Sequence, residues 1–253
     1  MQVGLIGAGN MARALARGWN RPVLCFDPVA ERAEALVEEV GGQALTNNTE
    51  LAQRADLVVL CHKPAQLHDV AREVKPHAKA VASILAGVPL SELRDTAAYP
   101  DCPVYRFIPS LPVEVRQGAV VQAEGPVQDH ATDEAVSELF GELGTLVVVP
   151  DKLVDIATGL MSCAPAYVAL VAEAQIDAGV RRGLPAAQGS ELVVQTLAGT
   201  AELLRRRGYD TLAVRREVSS PGGMTARGLD ALERGGLRNA FSDALDAVLG
   251  DSS

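Results

Sequence analysis

Aromatic side chains are scarce in this chain: one tryptophan, four tyrosines and four phenylalanines, 4% of 253 residues. A core of ordinary size must therefore be filled by valine, leucine and alanine, and a hydrophobic content of 48% supplies them. Cysteine is limited to Cys25, Cys61, Cys102 and Cys163, with no CxxC pair and no metal-like spacing. That pattern excludes a disulfide scaffold, gives no metal site, and predicts a reduced, cytoplasmic protein. Cys25 and Cys61 each end an apolar run, as buried strand cysteines do. Positive charge is outnumbered, with a formal net charge of -9, so no basic face for nucleic acid can be assembled. An anionic ligand must be held locally, by backbone amides or a few cations. No charged leader followed by an apolar block opens the chain, and no run of about 18 apolar residues is read, so neither a signal segment nor a membrane span is expected. Repeats and low-complexity tracts are absent too. The length exceeds that of a usual single domain and favours two.

What is present begins with a strand–turn–helix–strand grammar. Gln2 to Ile6 is a short apolar run, followed at once by Gly7, Ala8, Gly9, Asn10, Met11 and Ala12. Ala14, Leu15 and Trp19 then repeat at helical spacing, and Val23 to Phe26 is a second apolar run after Pro22. This is the context that the G-x-G-x-x-G/A dinucleotide fingerprint requires. Gly7 permits the tight turn, Gly9 lets a pyrophosphate approach the backbone, and Ala12 allows close helix–strand packing. Asp27 ends the second strand where an acid meets a ribose 2′-hydroxyl, which tilts the reading towards NADH. Asp27-Pro28 is equally a turn opener, and Arg32 is placed for a 2′-phosphate, so NADH and NADPH both stay open.

The alternation continues. Glu31 to Val40 reads as a helix ended by Gly41-Gly42, and Asn47-Asn48-Thr49 caps another from Glu50 to Ala55. Leu57 to Cys61 is fully apolar, as a central parallel strand should be. It ends in His62-Lys63-Pro64, at the sheet edge where ligands gather, which makes Lys63 a cofactor contact and His62 a solvated turn residue. A helix is expected over Leu67 to Val74, a strand over Ala80 to Leu85, and strands at Val104 to Ile108 and Val120-Val121. Asp133 to Leu143 reads as a helix and Leu146 to Val149 as the last strand. The α/β half thus spans 1–150 as a Rossmann-like, dinucleotide-binding domain.

After Pro150 the strand signals cease, and 151–253 reads as an all-helical domain. Leu153 to Gly183 is a long apolar pattern that Pro165 should kink or divide. Pro185, at a plausible first helical position, opens a helix from Ala186 to Arg207 that Gly208 ends. Its leucines, valines and alanines exceed what a small lone bundle can cover, so a homodimer through this half is predicted. No lysine follows Lys152 and no histidine follows His130, so this half has neither of the usual proton donors for hydroxyl–carbonyl chemistry. A protonated imine asks for no strong acid. Near the end, Val218-Ser219-Ser220-Pro221-Gly222-Gly223-Met224-Thr225 leads into an amphipathic run from Ala226 to Glu233. Read alone it is an ordinary loop and cap. Beside a cofactor domain it reads as an anion site, with free amides at a helix start and a hydroxyl, Thr225, beside them. Thr225 can hold a ring nitrogen while the amides hold a carboxylate, which suits a cyclic imino acid. A last helix is expected from Leu237 to Leu249.

These motifs together resemble the pyrroline-5-carboxylate reductase family over essentially the whole chain. They are Gly4–Ala12, Lys63-Pro64, Ala86-Gly87-Val88, Pro165-Ala166-Tyr167, Asp177–Val180, Gly183-Leu184-Pro185, Val218–Thr225 and Gly235–Arg238. The resemblance implies a Rossmann domain, a dimerisation domain of intertwined helices, and NADPH- or NADH-dependent reduction of 1-pyrroline-5-carboxylate to L-proline. Carried over by position, Thr225 meets the imine nitrogen. Val218, Ser220, Gly223 and Met224 form the substrate-binding set. Gly7, Gly9, Asn10, Met11, Asp27, Asn48, Lys63 and Pro64 form the cofactor-binding set. A homodimer or an assembly of dimers is implied.

Two segments depart from the family pattern. Ser110-Leu111-Pro112 stands where Asn-Thr-Pro is usual, and Met161-Ser162-Cys163-Ala164-Pro165-Ala166-Tyr167 replaces Ser-Gly-Ser-Gly-Pro-Ala-Tyr. They motivate two alternatives: a reductase of another cyclic imine, and a non-catalytic nucleotide-binding relative. A β-hydroxyacid dehydrogenase would share the architecture but needs the lysine that the second half lacks.

Overall fold

The computed structural model describes residues 1–97 and 102–250, with Ala97 described by its backbone alone. The chain divides into two compact units, Met1–Pro165 and Ala166–Ser253. The first is an α/β unit. In order it contains β1 (Val3–Ile6), α1 (Asn10–Trp19), β2 (Val23–Phe26), α2 (Ala30–Val40), β3 (Gly42–Ala44), α3 (Asn48–Arg54), β4 (Leu57–Leu60) and α4 (Leu67–Val74). Then come β5 (Val81–Ser83), α5 (Leu90–Ala97), β6 (Val104–Pro109), β7 (Gly118–Glu124), α6 (His130–Gly141), β8 (Gly144–Pro150) and α7 (Val154–Met161).

One eight-stranded sheet runs β3-β2-β1-β4-β5-β6-β7-β8. The pairs from β3 to β6 are parallel, β7 is antiparallel to β6, and β8 runs parallel to β7. β1 and β4 are buried along their whole length, the pattern of strands covered on both faces. The strand order reverses between β1 and β4. In an open α/β sheet the ligand crevice forms at that reversal, beyond the C-terminal strand ends.

The few aromatic residues are concentrated on one face. Phe107 of β6 stacks on Phe140 of α6 at 3.9 Å between ring centres, and Trp19 of α1 meets Phe140 edge-on at 5.5 Å. The buried Trp19 Nε1–H donates to the Leu139 carbonyl at 2.8 Å, so its polar atom carries no desolvation cost. The other face is built on the aliphatic Leu51, Leu60, Leu67, Val74 and Leu93, with Phe26 packed against them.

Most expected elements of this unit are present, and the helix over Leu67–Val74 has the expected ends. Asn47 caps α3 by accepting from Glu50 N–H at 2.8 Å. Two elements were not expected: β3, whose Gly-Gln-Ala sequence has no apolar alternation, and α5, which mixes polar and apolar residues. The strand expected over Ala80 to Leu85 shortens to Val81–Ser83.

The second unit is helical: α8 (Ala164–Val180, beginning just before the unit boundary), α9 (Ala186–Arg206), α10 (Thr211–Glu217), α11 (Met224–Arg234) and α12 (Leu237–Leu249). Pro165 divides the long apolar pattern as expected, for α7 ends at Met161 and α8 starts at Ala164. Pro185 is the N-cap of α9 rather than its first helical residue, and the helix starts at Ala186. The seven-residue α10 was not expected. The expectation that no stretch reaches membrane-span apolarity needs correction. Asp151–Val180, taken as one helical stretch, contains an 18-residue window of mean hydropathy 1.6, and 11% of that window is buried. The alanines interspersed among its leucines, valines and isoleucine carry positive hydropathy and raise the mean of the window without forming an unbroken run of large apolar residues.

Candidate active site

The reversal point of the sheet holds a cleft of about 350 Å³. Gly7, in the loop after β1, has φ +100°, and a Cβ there would lie 2.9 Å from the Cys61 carbonyl oxygen, so only glycine fits. Gly9 is the N-cap of α1 and has no side-chain cap. A Cβ built on Gly9 would meet nothing within 4 Å, so the fold itself does not demand glycine there. The open backbone and uncapped first turn form a cradle suited to a pyrophosphate.

Gly7, Gly9, Asp27, Asn48 and Lys63 line this one cleft, as do Arg32 and Gln66. Asn10 and Met11 open α1, and Pro64 opens a short 3-10 turn to Gln66, beside the lining rather than on it. Asp27 Oδ2 accepts the Ala8 N–H at 2.8 Å and Oδ1 accepts the Val29 N–H at 2.9 Å. Asp27, 8% exposed, thus braces the glycine loop against the end of β2. Each carboxylate oxygen accepts one backbone N–H and keeps a second lone pair, so Asp27 leaves NADH and NADPH both open. Arg32 is exposed at the same cleft.

His62 is half-buried, not solvated as expected. Its Nδ1 lies 2.9 Å from the Lys63 carbonyl oxygen, while Nε2 is shut from solvent without a partner. Burial holds its pKa below the ordinary histidine value, partly offset by the hydrogen bond to Lys63. Asn48 is buried, its Nδ2 donates to Glu73 at 3.0 Å, and its Oδ1 has no partner. Both residues line the cleft, and neither free acceptor could be read from sequence, because each depends on long-range packing. Burial, then the Asp27 charge, pushes the Cys25 thiol up to about 12, and burial also raises Cys61. All four cysteines are free, and the raised pair is unsuited to thiolate chemistry. Among the described residues no group of three or more His, Cys, Asp or Glu is arranged to hold a metal.

In the second unit, Val218 ends α10 and Gly223 is the N-cap of α11. Gly222 takes φ +70°, and a Cβ on Gly223 would fall 2.4 Å from Ser220 Oγ, so the glycine pair allows the loop to close on itself. The Gly223 N–H donates to Ser220 O at 3.0 Å, and Arg227 Nη1 donates to Gly222 O at 2.9 Å. No side chain caps α11, which leaves the amides of Met224 and Thr225 in an open first turn. Ser220, Met224 and Thr225 are exposed there. An open helix start of this kind suits a small anion, with the Thr225 hydroxyl on the same turn.

Ser162, in one departing segment, meets the residue that precedes the other. The Ser162 hydroxyl donates to the Pro109 carbonyl at 3.3 Å. Next to Pro109, the buried Ser110 accepts the Ala119 N–H on its Oγ at 2.9 Å. Leu111 is 47% exposed.

A glycine-loop cleft at the strand-order reversal of a parallel sheet, followed by a helical unit, defines the class of nicotinamide-dependent oxidoreductases. Comparison with known proteins narrows it. Residues 151–253 match the model of the pyrroline-5-carboxylate reductase dimerisation family. Residues 2–87 match the family described as NADP oxidoreductase, coenzyme F420-dependent. Pyrroline-5-carboxylate reductase 3 of Macaca fascicularis is 35% identical, covering 98% of this chain and 93% of its own. The pea (Pisum sativum) pyrroline-5-carboxylate reductase is 33% identical, covering 97% and 93%. The crystal structure of Plasmodium falciparum pyrroline carboxylate reductase with NADP bound superposes with a TM-score of 0.87 at 27% identity, covering 98% of this chain and 95% of that one. That of the Streptococcus pyogenes enzyme gives 0.88 at 28%, covering 98% and 96%. The chain belongs to the pyrroline-5-carboxylate reductase family.

Proposed function

We propose that this chain reduces 1-pyrroline-5-carboxylate to L-proline with NADPH or NADH. The observation that carries the reading is the Val218–Thr225 loop, whose close-packed glycines deliver an exposed hydroxyl and uncapped amides to one helix start. The cofactor, when bound, supplies a hydride for the imine carbon. Gly7, Gly9, Asn10 and Met11 offer backbone to its pyrophosphate, and Asn48, Lys63 and Pro64 border it. Asp27 keeps the glycine loop in place. Exposed Arg32 supports NADPH through a 2′-phosphate contact, as does the NADP held by the Plasmodium relative. Thr225 holds the imine nitrogen. Val218, Ser220, Gly223 and Met224 enclose the carboxylate, with the Met224 amide more available than that of Gly223, which already serves Ser220. A ring nitrogen that arrives protonated needs no acid from a unit without lysine or histidine.

We assign 1–150 to cofactor binding and 151–253 to substrate binding and dimerisation. A second copy of the chain covers the exposed apolar helices, and the reading requires no membrane or nucleic acid and places the enzyme in the cytoplasm. The Ser110-Leu111 and Ser162 replacements favour, as a second reading, a different cyclic imine with the same chemistry. Thr225→Ala tests the first: turnover of pyrroline-5-carboxylate should fall about a hundredfold with cofactor affinity unchanged. Unchanged turnover would remove Thr225 from its role, and higher turnover of a six-membered imino acid by the wild type would favour the second reading.

A further inference from the structure

His62 follows β4 and lines the cleft beside the end of β2, where the adenosine half of a dinucleotide lies in this fold. Its Nδ1 faces a carbonyl oxygen at 2.9 Å. A carbonyl only accepts, so Nδ1 carries the proton and Nε2 presents a lone pair. Burial favours that neutral form. Nε2 has no partner, and a buried acceptor left unmet costs free energy that a ligand donor relieves. Asn48 repeats the arrangement independently. Its Nδ2 must face the Glu73 carboxylate, because the amide oxygen would be repelled there, and this leaves Oδ1 as a second unmet acceptor on a residue lining the same cleft. Two acceptors without donors suit a group that brings O–H or N–H, and the adenosine half carries both.

We propose that His62 is a cofactor-binding residue, its Nε2 accepting a hydrogen bond from a ribose hydroxyl or the adenine 6-amine of the dinucleotide. This rests on the dinucleotide reading of the cleft. The test is equilibrium binding to the full chain, comparing wild type with His62→Phe, which keeps a ring and removes the acceptor. The ligands are NADPH, NADH and the hypoxanthine analogue of NADH, whose 6-oxo group replaces the amine. The variant should bind NADH about tenfold more weakly. The same loss with the hypoxanthine analogue identifies a ribose hydroxyl as donor, and no loss with it identifies the 6-amine. Equal affinity of wild type and variant for NADH overturns the proposal. Wild type that binds neither NADH nor NADPH overturns the dinucleotide reading as well. A second measurement on wild type alone guards against a misfolded variant. Only four histidines are present, so ¹⁵N-histidine labelling isolates the Nε2 resonance of His62. It should move upfield when cofactor is added, as for an imidazole nitrogen that gains a donor, and an unmoved resonance overturns the proposal.

Discussion

The two units bury their side chains in opposite ways. In Met1–Pro165, strands such as β1 and β4 and the inner face of α1 are packed to near-zero exposure, and even an arginine, Arg106, is 2% exposed. In Ala166–Ser253, Gly189 and Val214 are the buried members among the described residues, while Leu170 is 64% exposed, Leu192 59% and Val194 60%. Its visible ties are surface ion pairs, such as Arg207–Glu217 at 2.7 Å and Arg238–Glu233 at 2.8 Å, which contribute little each. The first unit carries its buried core within one chain, and in the proposed assembly a partner copy covers the apolar surface of the second.

The largest expected effect breaks that contrast directly. Leu192→Glu combined with Val194→Glu should weaken self-association about a thousandfold, roughly 4 kcal/mol, by placing charges in a shared core. Val29→Glu, at a comparably exposed site in the first unit, should leave it unchanged. Light scattering across a dilution series separates the two. Next in size, Arg106→Met removes the cation that bonds Asp151 at 2.8 Å and Asp155 at 2.7 Å. It should cost about 3 kcal/mol in chemical denaturation, independent of protein concentration. Gly9→Ala sharpens the contrast between fold and ligand. Its Cβ enters open space, so the melting temperature should hold while cofactor affinity falls roughly tenfold. The smallest effect is the pH response of His62. Its folded pKa lies below its unfolded value near 6.5, so its contribution is complete above that pH and is lost as pH falls through the folded value. Denaturation midpoints at pH 7.5 and 5.5 should fall further for wild type than for His62→Phe.

Local grammar made much of this legible. The glycine fingerprint, the Pro165 break and the Ser-Ser-Pro-Gly-Gly loop each depend on backbone demands that one or two residue types can meet. β3 escaped notice because pairing with β2, Val23 opposite Gly42 and Cys25 opposite Ala44, creates it rather than any pattern of its own. The Asp27-Pro28 turn was legible and Val29 two residues on bonds Asp27 within it, but the bond from Ala8, 19 residues away in sequence, was not. His62 looked like turn solvent for the same reason: the packing that closes off Nε2 comes from the fold.

The most direct test of the central claim is loss of NADPH and NADH absorbance with DL-pyrroline-5-carboxylate at neutral pH, with the product identified. The account predicts rapid oxidation of reduced cofactor and formation of L-proline. Cofactor that binds but is not oxidised by this imine would contradict it.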